Sequence, residues 1–339
     1  MEGNDYVRSM RPDELLVPTP AGLYCPAGAF YIDPVRPVDK ALITHGHADH
    51  ARPGHGAVLA TRETLDMMRL RCGEGFAGTT QTLGHGEKIA IDGVSIAFHP
   101  AGHVLGSAQA LVEYRGQRLL YSGDLKLSSS HTAEACETPR ADTLIVEATF
   151  GRPRYVFPPA VEVIAGIVSF CRNALAQGET PVLFAYSLGK GQEVLRALAG
   201  AGFDFALHGT THGVAEVYAR LGVEFPVHER LDRCDLSGRV LICPPQVKRA
   251  AIFTTIRRPR TAMVTGWAVD RAARWRYGVD AAFPLSDHAD YEDLVEYVRR
   301  VNPTRVYTVF GFDGEFAADL RTRGYDAQPL KGVMQLRLV

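Results

Sequence analysis

Thr44-His45-Gly46-His47-Ala48-Asp49-His50 sets three histidines and one aspartate almost side by side, directly after the apolar run Ala41-Leu42-Ile43. In extended backbone, positions i and i+2 project to one side, so His45 and His47 can address a single ion. Gly46 and Ala48 leave room between them. Asp49 and His50 are adjacent, so they converge only if the chain turns there, and they then face a second point beside the first. Nitrogen and carboxylate donors without thiolate suit Zn²⁺, with Mn²⁺ or Fe as substitutes. A histidine-rich surface loop is the competing reading, and the apolar run that delivers the cluster argues against it.

Working outward, the same pattern of a strand ending in a chemically loaded loop recurs. Lys88 to Ile91 and Val94 to Phe98 flank Asp92-Gly93, a strong hairpin signal. Ala108 to Tyr114, then Arg115-Gly116, then Arg118 to Ser122 repeats it and delivers Asp124 after Gly123. One carboxylate there can bridge two ions about 3.5–4 Å apart, although alone it would read as a turn or cap residue. His103 lies in Ala101-Gly102-His103-Val104-Leu105-Gly106-Ser107, where glycines let backbone approach a ligand closely. Taken singly it is only a loop histidine; the cluster at His45 to His50 gives it weight. Thr143 to Val146 is a further apolar run, ending at Glu147. Arg62 to Arg71 reads as a helix with Leu65, Met67 and Met68 on one side and Gly73 past its end.

Beyond Gly151 the texture changes, with Arg152-Pro153 and Pro158-Pro159 marking a connection. Helices are expected over Val161 to Ala176, Gln192 to Leu198 and Gly213 to Leu221. Strands are expected over Pro181 to Tyr186, Phe203 to Leu207, Arg239 to Cys243 and Thr261 to Thr265. This alternation argues for a parallel α/β unit. From Ala281 the loaded loops return, with Ser286-Asp287-His288, a helix from Tyr291 to Arg300 and a strand from Arg305 to Phe310. No internal repeat or low-complexity segment interrupts the chain. The expected organisation is a host domain (1–151 and 281–339) interrupted by an inserted α/β domain (152–280).

A chain of 339 residues, 46% hydrophobic and 22% charged, has the composition of a folded globular protein and can bury a core without disulfides. Cys25, Cys72, Cys136, Cys171, Cys234 and Cys243 form no Cys-x-x-Cys pair and read as thiols in a reducing compartment. Met1 to Leu16 carries both charge signs and no apolar core, so no signal peptide is expected. No apolar run approaches the ~20 residues that span a bilayer; a cytoplasmic protein without membrane contact is the expectation. A net charge of −1 argues against nucleic-acid binding over the whole surface, but not against a local basic track.

Together, His45-Gly46-His47-Ala48-Asp49-His50, Gly102-His103 and Ser122-Gly123-Asp124 resemble the motifs of the metallo-β-lactamase fold, a four-layer αββα sandwich with a metal site at its edge. Val146-Glu147-Ala148-Thr149-Phe150-Gly151 is similar to the acidic motif closing the first half of the β-CASP nucleases. Ser286-Asp287-His288-Ala289-Asp290-Tyr291 is similar to the histidine motif after their inserted domain, and Ser187 to Glu193 also resembles that family. The likeness is greatest to bacterial DNA-ligase-associated exonucleases and Artemis-type DNA repair nucleases. It implies His45, His47 and His103 on one metal, Asp49 and His50 on a second, and Asp124 between them. It also implies Asp33 as an orienting residue, for which an Asp-Pro turn is the plain reading. Glu147 and His288 would pair beside the leaving group, with His288 as general acid. The RNA-processing members carry a final histidine where this chain has Tyr307-Thr308-Val309-Phe310-Gly311; an apolar residue there is the pattern of the DNA-acting branch and removes one ligand from the second metal.

The implied activity is hydrolysis of phosphodiester bonds in DNA by a metal-held hydroxide, with one or two Zn²⁺ or with Mn²⁺, in repair or end processing linked to a DNA ligase. The implied substrate is DNA that is single-stranded or has free ends, digested by an exonuclease with 5′ ends favoured. For substrate contacts, the basic segment from Lys248 to Arg276 includes Arg257, Arg258, Arg271 and Arg274, with Trp267, Trp275 and Tyr277 interleaved. Its alternative is a solvated basic face over core tryptophans. Ser187 and Lys190, with Thr210, Thr211 and His212, are candidates to cradle a phosphate. His208 and His212 stand four apart, but no third ligand is expected near them, so they read as structural, as do His55, His85, His99, His131 and His228. Competing functions are a β-CASP RNA nuclease, a thioester or lactam hydrolase of the same fold, and a metal-stabilised scaffold that only binds nucleic acid.

Overall fold

Short, half-buried strands open the chain: β1 (Val17–Thr19), β2 (Gly22–Cys25) and β3 (Phe30–Ile32) run antiparallel, then β4 (Lys40–Leu42), β5 (His55–Ala60) and β6 (Ala77–Thr82) continue the sheet in parallel. The computed structural model describes residues 15–331; the N-terminal stretch read above for a signal peptide lies, from Met1 to Glu14, outside them. Helix α1 (Arg62–Cys72) connects β5 to β6 and is capped by the Thr61 side chain, which accepts from the Thr64 N–H, satisfying one of the donors left over at a helix start. Its buried Leu65 and Met68 pack on the outer face of this sheet with Ile43 and Val58.

The second sheet begins with β7 (Lys88–Ile91), β8 (Val94–Pro100), β9 (Ala108–Tyr114), β10 (Gln117–Tyr121) and β11 (Thr143–Glu147). Asp92 and Gly93 have φ of 51° and 82°, and Arg115 and Gly116 have φ of 50° and 81°. Two positive-φ residues per turn match the twist of the flanking strands, so both expected hairpins form and fix the register Ile91↔Val94 and Tyr114↔Gln117.

The chain then builds a third sheet from α2 (Ala160–Ala176), β12 (Thr180–Phe184), α3 (Lys190–Ala197), β13 (Asp204–Leu207), α4 (Gly209–Arg220), β14 (His228–Arg230), β15 (Arg239–Cys243), β16 (Pro259–Val264), α5 (Ala273–Tyr277) and β17 (Ala281–Phe283). All its strand pairs are parallel, in the order β14-β13-β15-β12-β16-β17. The sheet thus runs on to Phe283, just past the expected boundary at 280, because β17 pairs with β16. Helix α4 starts at Gly209, earlier than the expected Gly213, since the His208 ring accepts from the Thr210 N–H and caps it. Finally α6 (Tyr291–Val301), β18 (Arg305–Val309), α7 (Asp313–Thr322) and β19 (Asp326–Pro329) return to the second sheet, whose order is β19-β18-β11-β10-β9-β8-β7.

The first two sheets bury their facing sides against each other, Leu23, Phe30 and Leu42 of one against Ile96, Phe98 and Ile145 of the other. Helices α6 and α7 cover the far side of the second sheet through Leu294, Val298, Phe316 and Leu320. Helix, sheet, sheet and helix make the four-layer αββα sandwich. Strands β11 and β18, neighbours in the second sheet, are separated in sequence by the whole third sheet, whose two faces are buried by α2, α3 and α4 on one side and by the segments around Leu231, Val247 and Ile256 on the other.

Backbone spacing at the second sheet's edge is tight. Gly102 has φ +77°, and a Cβ there would lie 2.2 Å from the carbonyl oxygen of Lys126. Gly102→Ala therefore meets a strained conformation and a backbone that cannot step aside, and is expected to lower unfolding free energy by about 1–3 kcal/mol. Urea titration checks this: the midpoint falls while the slope is unchanged.

Candidate metal centre and its cleft

Asp33 sets the shape of the histidine-rich loop. It follows β3 with φ of 45° and is buried, accepting hydrogen bonds from Thr44 N–H at 2.8 Å, from Thr44 Oγ1 at 2.6 Å and from His50 Nδ1 at 2.8 Å. One carboxylate thus holds both ends of the loop. Between them the N–H groups of His50 and Ala51 donate to the His47 carbonyl at 3.2 and 2.7 Å; this is the turn that lets Asp49 and His50 converge.

Each of four imidazoles has one nitrogen engaged on its outer side and presents the other inward. His45 Nδ1 lies 3.1 Å from Thr44 Oγ1, and its Nε2 lies 3.4 Å from Asp124 Oδ2. His47 Nε2–H donates to the Leu188 carbonyl at 3.1 Å, and His103 Nδ1–H to the Asp287 carbonyl at 2.7 Å. Because a carbonyl only accepts, those bonds fix the tautomers. His47 Nδ1 and His103 Nε2 are then both bare lone pairs, and they face each other at 2.9 Å. Two acceptors this close repel unless a cation stands between or beside them. One ligand atom each from His45, His47, His103 and Asp124 lie within 4.8 Å of one another. His45 Nε2, Asp49 Oδ1 and Asp124 Oδ1 are buried with no hydrogen-bond partner. Unsatisfied buried polar atoms of this kind are expensive, and these fit a divalent cation.

The donors sort to either side of Asp124. Its Oδ2 faces His45 and His103, at 3.4 and 3.7 Å. Its Oδ1 lies 3.4 Å from His50 Nε2, which is 3.9 Å from Asp49 Oδ2. Burial holds the His45 imidazole well below its ordinary pKa, helped by His50, and takes His103 down to about 3 with His288 and His47 adding to the effect. Both shifts favour the neutral ring, the form that can donate a lone pair. For His50, burial acts the same way, yet the Asp124 and Asp33 carboxylates outweigh it and hold the ring well above its usual value. Asp124, despite burial that would raise it, is held well below the carboxylate range by His50 and His288.

Glu147, fully buried at the end of β11, accepts from the Leu125 N–H at 2.7 Å and from His288 Nδ1 at 2.9 Å. The bond leaves His288 Nε2 turned toward Asp124, 4.0 Å away. Burial opposes a charge on His288, but Glu147 and then Asp124 push it up to about 10. His47, Asp49, Asp124 and His288 line a cleft of about 750 Å³ whose other walls include Arg71, Tyr186, Trp267 and Phe312. Phe310 meets the His50 ring edge-on at 5.5 Å.

Other expected site residues are dispersed. Ser187 lines the cleft and bonds Thr210 at 2.8 Å. Lys190 also lines it, but is buried and spent on ion pairs with Glu193 at 3.2 Å and Asp287 at 3.4 Å; it is not a free phosphate contact. Arg257 and Arg258 are not brought to the cleft. They precede β16 and bond the start of β12 through Thr180, whereas the cleft lies past those strands' far ends, roughly 17 Å on at ~3.3 Å per residue. Arg271 and Arg274 are exposed and outside the cleft lining. Trp267 packs on Phe150 with centroids 4.6 Å apart, while Trp275 is 78% exposed beneath Arg274. His212 does have further donors at hand, because α4 and β14 bring Glu216 and His228 to it. Arg230 and Arg233 face it too, a field adverse to a cation.

Sequence reading missed Arg71, which ties the loop by donating to the Gly46 carbonyl at 2.7 Å, and Leu188, whose contribution is a backbone oxygen that no residue type announces. Lys126 is also unmarked in the sequence reading, and its partner Glu193, in a buried pair at 2.5 Å, enters it only as the end of the Ser187 to Glu193 segment.

Residues 21–175 match the beta-lactamase superfamily domain. The chain is 44% identical over 319 residues to a probable DNA ligase of Opitutus terrae, a match spanning 94% of this chain and 31% of that protein. It is 29% identical over 246 residues to a ribonuclease of Thermus thermophilus, spanning 65% of this chain and 52% of that protein. The chain thus spans from a third to half the length of these relatives. A crystal structure of a protein of unknown function from Enterococcus faecalis V583 superposes with a TM-score of 0.61 at 12% identity, covering 87% of this chain and 80% of the other. Among the described residues no helix is long and apolar enough to cross a membrane.

Asp33→Ala would strand the Thr44 N–H and the His50 ring N–H in a buried setting. The expected cost is on the order of 1–3 kcal/mol per stranded donor, read as a lower thermal midpoint in a calorimetric scan of the metal-free protein.

Proposed function

This chain carries a metallo-β-lactamase superfamily domain, and from that premise we propose a metal-dependent nuclease that hydrolyses phosphodiester bonds in DNA as an exonuclease. The observation that carries the reading is the pair of inward-facing imidazole nitrogens, His47 Nδ1 and His103 Nε2, 2.9 Å apart beside Asp124 Oδ1 and His45 Nε2, which are buried without a hydrogen-bond partner. His45, His47, His103 and Asp124 would hold one ion, and Asp49, His50 and Asp124 a second, with Zn²⁺ favoured and Mn²⁺ the substitute. Such ions supply Lewis acidity, withdrawing charge from phosphoryl oxygens and making water nucleophilic near neutral pH.

The protein's own groups do the rest. Asp33 and Thr44 orient His45 and His50. Glu147 holds His288 by Nδ1, so that Nε2 can deliver a proton to the departing sugar oxygen. Trp267, Tyr186 and Phe312 line the cleft with ring faces that suit unpaired bases, which favours single strands or free ends.

DNA over RNA is supported by Phe310, which stands against His50 where RNA-processing β-CASP enzymes carry a histidine, and by the relative named a probable DNA ligase. That relative also supports a role in DNA repair or end processing beside a ligase. The RNA nuclease reading draws on the ribonuclease relative. Free cysteines throughout go with a reducing, cytoplasmic setting.

Asp49→Ala should abolish cleavage of labelled DNA while circular dichroism stays native; undiminished cleavage would overturn the assignment. His288→Ala should lower kcat on DNA by about 10²–10⁴, with a far smaller loss on a p-nitrophenyl phosphodiester, whose leaving group needs no proton. Matched 5′- and 3′-labelled DNA and RNA oligomers, single- and double-stranded, test the substrate with Zn²⁺ or Mn²⁺. Digestion of DNA from 5′ ends is expected, and faster cleavage of RNA would transfer the activity to the RNA class.

A further inference from the structure

Four charges, three of them buried and the fourth, Asp287, largely so, join three distant stretches of the chain. Lys126, just past Asp124, reaches Glu193 Oε1 at 2.5 Å; Glu193 Oε2 meets Lys190 at 3.2 Å; Lys190 meets Asp287 Oδ1 at 3.4 Å. Their side chains are 6%, 4%, 1% and 14% exposed in that order. A buried ion-pair chain adds little stability over apolar side chains of similar volume, so its presence calls for a reason other than adhesion. Its sign pattern, plus-minus-plus-minus, leaves no charge uncompensated, and burial does not prevent Lys190 from holding the Asp287 carboxyl below the usual range.

The two ends of Lys190 explain the arrangement. Its backbone opens α3 two residues after Leu188, whose carbonyl takes the Nε2–H of His47. Its ammonium grips Asp287, whose own carbonyl takes the Nδ1–H of His103. One lysine therefore clasps the two backbone oxygens that choose the tautomers of the two facing imidazoles. Gly189, between them, has φ +82°, and a Cβ there would meet Val104 Cγ1 at 2.3 Å; the α3 loop is seated directly on the residue after His103.

We infer that Lys126, Glu193, Lys190 and Asp287 act as a positioning chain through which the third sheet sets the donor state of the metal centre. It keeps His47 protonated at Nε2 and His103 at Nδ1, so that lone pairs rather than N–H groups face inward. None of the four touches a reacting atom. The inference deepens the metal-nuclease reading and rests on it for its purpose. Outer partners of ligating imidazoles typically govern metal affinity by 10- to 100-fold.

The test uses the full chain with two neutral double substitutions, Lys190→Met with Asp287→Asn, and Lys126→Met with Glu193→Gln; either, if folded by circular dichroism, suffices. Zn²⁺ affinity by competition with a chromophoric chelator should fall 10- to 100-fold. In metal-free, ¹⁵N-histidine-labelled protein, the wild type should show single tautomers at His47 and His103 and the variants a mixture. Wild-type affinity with unchanged tautomers in a folded variant overturns the inference, as does a wild type already in the opposite tautomers. A wild type that takes up no Zn²⁺ or Mn²⁺ overturns the metal-nuclease reading instead, and the metal-free spectra still decide this one.

Discussion

A carboxylate removed from water is tolerated only where positive charge or hydrogen bonds replace its hydration, and Asp124 is buried with one oxygen toward His45 and His103 and the other toward His50. Everything else at the edge of the sandwich follows from keeping that group in place. Strand β10 delivers it, Gly102 lets the His103 loop close onto the backbone just beyond it, and Asp33 holds the histidine-rich loop at the right distance. The imidazoles around it cannot all be charged. Burial pushes His45 and His103 toward the neutral form, while the neighbouring carboxylates push His50 and His288 toward the charged one.

Much of this was legible in the chain itself, and the reasons are local. Asp92-Gly93 and Arg115-Gly116 specify hairpins because turn and strand twist must match within four residues. His45 to His50 announce a site because that density of donors has few other uses. What escaped notice depends on neighbours distant in sequence. Leu188 and Asp287 contribute backbone oxygens, which every residue has. Lys190 looked like a phosphate contact, and only packing reveals the Glu193 and Asp287 carboxylates that consume it. Arg257 and Arg258 are near Trp267 in sequence yet lie across the length of β16 from it, since a strand carries its two ends apart. Short strands such as β1, β14 and β19 offer too few residues for any period to appear.

The cleft owes its character to the third sheet. The sandwich supplies the donors at its edge, while Tyr186, Leu188 and Trp267, from loops after β12 and β16, roof the space above them. Its walls near the donors are rich in rings, and the arginine-rich stretch lies largely on outer surfaces. The cleft thus offers ring surfaces and shape more than a uniform basic field, in keeping with a chain whose net charge is −1.

The separation of β11 from β18 has a kinetic consequence. Thr143 pairs with Arg305 and Glu147 with Val309, so the second sheet cannot finish until the whole third sheet and β18 have been made, and such long-range pairing closes slowly. His288 and Asp287 arrive in that same late segment. A chain made only as far as the third sheet therefore holds the histidine-rich loop without His288 or the Asp287 carbonyl that orients His103, and the donor cluster stays incomplete until the segment after β17 has been added.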